Sequence, residues 1–308
     1  MSEAVITGLL VAGTVSAVPV LLAALGEAIS EQVGVKNLGI EGVMLMGAVL
    51  AAIVALNTGS AWLGLAGGAL GAAVFNFFCL ALPNVVLRAE ETVVAFACWF
   101  IGIGLSTMLG VSYNGKTLPS LGTIEVPALS GIPYIGRAFF NQPPTTYLAI
   151  IMVIATAWLL YRTRHGLKLR AIGRDMEAAR ACGIAVTRLR LAYVSLGGAI
   201  IGLGGAVLAI VALGTWETNL TGFRGFLGFA LVIVVGRGRI VPLLVGAYVF
   251  GLLLGVSGVV QAQGWNVRSE LLDMLPYLAA VAALIVPAWH PGRRFRRRTR
   301  GAPAPAQT

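Results

Sequence analysis

An amide and a carboxylate, Asn37 and Glu41, stand four residues apart at the start of a long apolar segment. The amide can donate to and accept from hydroxyl groups or the edge of a base, and the carboxylate can accept hydrogen bonds from hydroxyls. Their spacing puts both on one helix face, unless Gly39 breaks the helix. Because an ionisable group beside a bilayer-length apolar run is costly, we predict that both line the path of a polar solute through a membrane.

A second interpretation of Glu41 stays open at this point. A carboxylate suits the positive N-terminal end of a helix, so Glu41 could cap the helix that starts near Gly42. The two roles are compatible with each other.

The elements that must position these residues are membrane helices. The chain is 58% hydrophobic and 11% charged, whereas soluble domains carry roughly 25% charged residues. Several charge-free runs reach the length of about 20 residues that a crossing needs: 4–26, 42–87, 92–115, 138–161, 191–216, 240–267 and 274–292. The composition therefore predicts an all-α membrane protein, a polytopic bundle of about 8–10 transmembrane helices.

Some of these helices are predicted to be paired or broken. As one helix, residues 42–87 would be about 69 Å long, so they cross twice, with the turn at Asn57–Ser60. The run 225–236 is too short for a crossing and predicts a half-helix. Polar, glycine-broken openings at Gly34–Gly47 and Thr218–Gly228 lie one in each half of the chain, which is typical of a transporter's binding path.

The basic residues predict the topology. They are concentrated in the loop 162–190, the turn Gly236–Arg239 and the tail 293–308. Lys and Arg favour cytoplasmic loops, so we place these segments and the C-terminus in the cytoplasm and 111–144 outside, with a short surface helix. The net charge of +10 then reflects topology, and no nucleic-acid partner is predicted. Charges around the first helix do not assign the side of the N-terminus.

The chain is predicted to form one membrane domain, residues 1–292, followed by a basic, disordered tail, residues 293–308, at the anionic inner surface. Glycines four residues apart, such as Gly64 and Gly68, predict close helix packing. We interpret the three cysteines as packing residues, without a disulfide or a metal site.

One motif is rejected. Gly110–Thr117 matches the phosphate-binding pattern G-x-x-x-x-G-K-[ST], but that loop needs a strand before it and a helix after it. Here a long apolar segment precedes, and a stretch containing Pro119 follows. The sequence also has no His-Glu-x-x-His stretch or in-membrane Asp pair, so neither a cofactor nor catalysis is predicted.

The cytoplasmic loop contains a short run of helix formers, Glu177–Cys182, between Gly173 and Gly183. Small Ala residues on an exposed helix allow a partner protein to pack closely against it. The alternative interpretation of this segment is an ordinary solvated loop whose charges set the topology. Residues 170–184 read Arg-Ala-x-Gly-x-x-x-Glu-Ala-Ala-x-x-x-Gly-Ile and resemble the coupling-helix motif of ABC importer permeases. Residues 37–47, Asn-Leu-Gly-Ile-Glu-Gly and then Met44 to Gly47, resemble the opening of the branch that handles nucleosides and simple sugars.

The resemblance extends to Gly131–Gly136, Gly225–Phe226 and Val235–Arg237 and covers nearly the whole chain. It implies a permease subunit that carries a nucleoside or simple sugar across the bacterial inner membrane, while a separate subunit binds and hydrolyses ATP. It also implies a second permease in a heterodimer and an extracytoplasmic substrate-binding lipoprotein. The coupling residues that it implies are Gly173, Glu177, Ala178, Ala179 and Gly183.

Relatives usually carry a Gly and an Asn where this chain has Phe96 and Phe100, with Trp99 between them. These rings could stack on a planar base, with lipid contact or bundle packing as the alternative. The predicted translocation path is therefore Asn37, Glu41, Met44, Phe96, Trp99 and Phe100. The alternative function is an ion- or proton-coupled secondary transporter, which needs ionisable residues buried in mid-helix; Glu41 is the one near-candidate in the sequence.

Overall fold

The computed structural model describes residues 3–125, 135–236, 238–264 and 268–285, and these are mostly helical. Three of the segments discussed above lie outside the described residues, namely 131–134 of the external motif, Arg237 of the basic turn and the tail 293–308. Among the described residues, seven helices are long and apolar enough to cross a membrane, and two apolar segments are shorter, Arg224–Val235 and Leu271–Ile285. The predicted all-α polytopic bundle is confirmed.

The long helices are α1 (Glu3–Gln32), α2 (Ile40–Thr58), α3 (Ala61–Asn76), α5 (Glu91–Gly110), α7 (Pro144–Arg162), α10 (Val186–Val207) and α12 (Ile240–Ala262). The short ones are α4 (Leu82–Val85), α6 (Ile135–Phe140), α8 (Arg164–Arg174), α9 (Met176–Ala181), α11 (Arg224–Val235), α13 (Ser269–Asp273) and α14 (Leu275–Ile285). Two π-helical turns, Phe77–Ala81 and Leu208–Leu213, continue α3 into α4 and extend α10.

The predicted double crossing and the half-helix are both present. The turn between α2 and α3 is made by Gly59, in the left-handed region at φ +69°, and by Ser60, whose hydroxyl accepts the Leu63 N–H at 3.4 Å. The half-helix is α11, 12 residues long, or about 18 Å. It spans little more than half of a hydrocarbon core of about 30 Å.

The structure assigns the start of α1 to one end of the bundle. Its first half packs antiparallel to the second half of α12, where a Cβ on Gly13 would meet Leu252 and one on Gly255 would meet Ala12. Beyond its other end, Gly34 lies against Gly173 at the end of α8. The N-terminal end of α1 is therefore opposite the end that carries α8 and α9, a side that the sequence left open.

Close backbone packing joins three helices at the centre. A Cβ on Gly47 of α2 would lie 2.3 Å from the carbonyl oxygen of Gly202 in α10, and one on Gly68 of α3 would lie 2.5 Å from the carbonyl oxygen of Gly47. No side chain fits between these backbones. Packing through small residues is how membrane helices approach closely, as the glycine spacing predicts.

At the opposite end from α8 and α9, the segment 111–144 contains the predicted short helix, α6. It also contains a small sheet that was not predicted, in which β1 (Ile124–Glu125) pairs antiparallel with β2 (Asn141–Gln142). A β-bridge between Thr117 and Thr215 ties this segment to the chain that follows α10.

Candidate functional site

The carboxylate of Glu41 joins two distant parts of the chain. It is fully buried and accepts three hydrogen bonds, from the Thr221 hydroxyl at 2.5 Å and from the Phe223 and Gly225 N–H groups at 2.9 Å each. All three donors lie at or just before the start of α11. The carboxylate thus serves as the anion that the N-terminus of a helix favours.

The local conformation around these donors explains why they converge. Gly222 and Phe223 are both in the left-handed region, with φ of +51° and +63°, and a non-glycine residue in that region is strained. Gly225 has no Cβ, and one placed there would lie 2.6 Å from a carboxylate oxygen of Glu41. The backbone conformation of residues 221–225 therefore points the N–H groups of Phe223 and Gly225 toward Glu41, and Gly225 leaves room for the carboxylate.

This geometry corrects the capping interpretation of Glu41. Glu41 lies in the first turn of α2, but the N-cap of α2 is Gly39 and makes no side-chain capping bond. The carboxylate instead caps α11, about 180 residues away along the chain. The two glycine-broken openings that the sequence placed in separate halves are in direct contact.

The contact lies deep in the bundle. Gly42 packs against Cys98 and Trp99 of α5, and Trp99 is eight residues beyond the start of that helix, or about 12 Å. The contact is therefore about 12 Å along α5 from the charged turn that precedes this helix, well inside a hydrocarbon core of about 30 Å. Broken helices whose N-termini meet near mid-membrane are typical of a transporter's binding region.

Asn37 belongs to a different cluster, so the predicted common helix face is wrong. Helix α2 starts three residues later, at Ile40, and Asn37 lies in the preceding loop. Its backbone N–H donates to both carboxylate oxygens of Glu27 at 3.2 Å, and its side-chain amide donates to Oδ1 of Asn76 at 3.3 Å. Asn76 in turn donates to the Val194 carbonyl at 2.7 Å. This chain of bonds links α1, the α1–α2 loop, α3 and α10.

The six residues of the predicted path divide into two sets. Asn37, Glu41 and Met44 are fully buried inside this chain. Phe96 and Phe100 lie on the surface, 42% and 64% exposed, with Trp99 between them.

The exposed set belongs to a larger cluster of aromatic rings. Trp99 stacks on Phe100 with centroids 5.2 Å apart and meets Phe226 of α11 edge-on, also at 5.2 Å. Phe223, next to the Glu41 carboxylate, lies 6.2 Å from both Trp99 and Phe226. The buried carboxylate therefore positions the turn that supplies two of the five rings. The indole N–H of Trp99 has no hydrogen-bond partner among the residues that the structure describes.

The segment around Glu177 is built differently. Helix α9 is capped by Asp175, which accepts the N–H groups of Glu177 and Ala178 at 3.0 Å. The Glu177 side chain is 84% exposed and pairs with Arg180 at 2.8 Å. Of the two alanines, Ala178 is exposed and Ala179 is buried.

The two glycines that flank α9 differ in position. Gly183 adopts a left-handed φ of +76° just beyond α9, and Gly173 lies half-buried against Gly34. The short helix predicted at this place is present, and it presents Glu177 and Ala178 outward.

Sequence reasoning missed three polar residues at these clusters and one ring. Glu27 lies one residue past a charge-free run, but α1 continues to Gln32, so the carboxylate is fully buried inside a spanning helix. Asn76 is a buried amide within the charge-free run 42–87, a signal that could have been noticed. Thr221 and Phe226 lie in or beside the second glycine-broken opening.

Trp216 is buried although its sequence neighbours Glu217 and Asn219 are polar and exposed. Its ring is fully buried, and a Cβ on Gly110 would collide with it. The rejected phosphate-loop pattern runs through this region. Its first residue, Gly110, ends helix α5, and the Gly115 N–H donates to the Trp216 carbonyl at 2.8 Å.

Comparisons with known proteins agree with this architecture. NupC of Lactococcus lactis, named as a nucleoside ABC transporter permease, is 31% identical over 86% of this chain and 87% of its own length. NupQ of Bacillus subtilis, named as a guanosine ABC transporter permease, is 30% identical over 88% of each chain. TsgC13 of Haloferax volcanii, named for glucose transport, is 37% identical over 80% of this chain and 75% of its own.

A solved structure has the same fold. It is described as an inward-facing conformation of an ABC transporter of metal-chelate type, and it superposes with a TM-score of 0.50 at 16% identity, covering 92% of this chain and 84% of that one. In the ABC transporter permease family of NupC and NupQ, ATP is hydrolysed by a separate subunit, so the chain is a transporter subunit and not an enzyme. A family model described as the permease component of the branched-chain amino acid transport system matches residues 9–284, and the chain belongs to that family of ABC transporter permeases.

Proposed function

We propose that this chain forms half of the membrane pore of an importer that carries a nucleoside or a simple sugar into a bacterial cell. The names of its relatives support this substrate class, since two are named for nucleosides and one for glucose. The observation that carries the proposal is the meeting of two helix N-termini at Glu41, well inside the membrane, beside an exposed aromatic cluster. The importer is driven by ATP bound on the partner subunit, and this chain needs no cofactor.

The solute passes along the surface that carries Phe96, Trp99 and Phe100, between this chain and a second permease. The flat faces of these rings suit a nucleobase or the apolar face of a sugar. Asn37, Glu41 and Met44 lie behind that surface in the conformation described here. They support the helices that line the path, and they contact the solute directly in a conformation in which these helices separate.

Orientation follows from the basic segments. Helices α8 and α9 and the C-terminus lie on the cytoplasmic side of the inner membrane, because Lys and Arg favour that side. The start of α1 and the segment 111–144 are then external, where a substrate-binding lipoprotein delivers the solute. Two permease chains, a heterodimer in our proposal, enclose the path.

Coupling to the ATPase occurs through α9. Its exposed face presents Glu177 and Ala178 to the cytoplasm, while the buried Ala179 and the flanking Gly173 and Gly183 fix how the helix sits on the bundle. A short helix with small, exposed residues suits a groove on a partner protein.

Reconstitution tests the proposal directly. The chain is placed in vesicles with its co-purifying permease and ATPase subunits, and uptake of radiolabelled guanosine and ribose is measured with binding protein outside. Uptake that requires ATP inside supports the importer. Uptake driven by a proton gradient without ATP would support the ion-coupled alternative, for which Glu27 and Glu41 are the buried carboxylates among the described residues.

A further inference from the structure

An open apolar groove lies on the flank of the bundle, away from the Glu41 contact. It has a volume of about 490 Å³ and is bounded by α11, α12 and α14. Its lining consists of aliphatic side chains, one phenylalanine, one proline and one glycine. No residue of the translocation path or of the coupling segment lines it.

Small residues keep the groove open. On α14 the lining residues are Ala279 and Ala283, one helical turn apart, and on α12 Gly246 lets Leu231 of α11 approach so closely that a Cβ there would lie 2.3 Å from it. Helices α11 and α12 thus touch at the floor, and the small side chains of Ala279 and Ala283 leave space beside α14. The walls stay uncovered, with Val241 67% and Val245 60% exposed.

The groove has the length of one membrane leaflet. Its lining on α12 runs from Val241 to Phe250, nine residues or about 14 Å along the helix, close to half of a hydrocarbon core of about 30 Å. A void between fixed helices forfeits dispersion contacts on one side, so a flexible apolar occupant fills it favourably. A single acyl chain has this length, flexibility and chemistry.

A basic residue lies close in the sequence to one end of the groove. Val241 is two residues beyond Arg239, which is exposed at the turn between α11 and α12. The sequence adds Arg237 in the same turn and six arginines in 293–300 soon after α14. Basic residues beside a membrane attract anionic headgroups of the cytoplasmic leaflet.

We propose that this groove binds one acyl chain of an anionic phospholipid of the cytoplasmic leaflet, with its headgroup at Arg239. The assignment of the headgroup to the cytoplasmic leaflet rests on the orientation proposed above. The binding of the acyl chain in the groove does not depend on that orientation. Binding there adds contacts to α14, which packs against α11 and α12 mainly through Pro276 and Ala280.

Native mass spectrometry of the full chain, with its co-purifying subunits, tests the site. The complex is released from nanodiscs that contain equal amounts of phosphatidylglycerol and phosphatidylcholine. We expect one retained phosphatidylglycerol per copy of this chain. Ala279→Phe fills the groove and should remove that lipid, whereas Ala282→Phe, on an exposed position of α14 outside the groove, should retain it.

The charge is tested separately. Arg239→Gln should lower the preference for phosphatidylglycerol about fivefold, while Lys116→Gln at the opposite end of the bundle should leave it unchanged. Retention of lipid by Ala279→Phe at the level of Ala282→Phe overturns the site, as does a photo-cross-link from position 245 to a protein subunit. Equal retention of the two lipids overturns the headgroup assignment. None of these outcomes depends on uptake, so failure here is distinct from failure of the importer proposal.

Discussion

Two glutamates near helix N-termini, Glu41 and Glu177, have opposite environments. Glu41 is fully buried and accepts three hydrogen bonds from a segment far along the chain. Glu177 is 84% exposed and makes one ion pair on its own helix. A buried carboxylate with every donor in place holds structure, whereas an exposed one contributes little to stability and remains available to another protein. The comparison separates a residue that holds two helices together from one whose side chain is free to contact another protein.

Replacing Glu41 should have the largest effect, on both folding and uptake. Glu41→Leu leaves the Thr221 hydroxyl and two N–H groups buried without an acceptor, so we expect a loss of about 3–5 kcal/mol of stability. Thermal unfolding in detergent, followed by tryptophan fluorescence, measures this loss. Glu41→Gln keeps an acceptor and the shape of the side chain, and it should lose less than half as much. Equal stability of wild type and Glu41→Leu would contradict the structural role.

Glu177→Arg should abolish ATP-dependent uptake without unfolding the protein. The Glu177 side chain is exposed to solvent, and its one ion pair, with Arg180, is also exposed. The free energy of unfolding should therefore change by about 0.5 kcal/mol or less. Uptake into vesicles and the unfolding temperature are measured on the same preparation. The matched control is Glu217→Arg, an exposed position at the other end of the bundle. Normal uptake by Glu177→Arg would refute the coupling assignment.

A third pair of variants compares the buried and the exposed sets of the predicted path. Asn37→Leu removes the donor to Asn76 and should impair uptake more than Phe100→Leu, which changes one of five clustered rings. Initial uptake rates at equal protein levels measure the difference. If the two rates fall equally, the inner residue has no special place in the path.

The smallest effect is expected at Thr221. Thr221→Val removes one of the three donors to Glu41 and should cost about 1–2 kcal/mol of stability. Thr218→Val, three residues earlier and exposed, is the control and should be neutral. A loss as large as that of Glu41→Leu would mean that the hydroxyl, and not the two N–H groups, holds the turn.

Much of the fold could be predicted from the sequence, because a membrane helix is recognised by a long run of apolar residues without charges. Charge-free runs predicted the crossings, the Asn57–Ser60 turn and the half-helix at 225–236, since apolar length and glycine or polar breaks are local properties. It also predicted the short helix at Glu177. The contact between Glu41 and α11 was not predictable, because it depends on how two segments about 180 residues apart meet in space.

Other errors have equally physical causes. Asn37 and Glu41 were expected on one face, but α2 begins only at Ile40, so the spacing rule did not apply. The burial of Trp216 against Gly110 of α5 was not predictable either, because its sequence neighbours are polar. Glu27 was overlooked because the charge-free run 4–26 ends just before it, which suggested that the helix ends there too. Helix α1 instead continues past Glu27 to Gln32.

The crossing of α2, α3 and α10 at Gly47, Gly68 and Gly202 has a mechanical consequence. With backbones this close, none of the three helices can rotate about its own axis unless the others separate. We therefore expect them to travel together as one stiff body when the pore changes shape. Helix α11 joins that body at its N-terminus, through the hydrogen bonds to Glu41, while Gly228 packs closely against Ala23 and Ala24 of α1. Any displacement of α11 against the three helices must therefore break the bonds to Glu41.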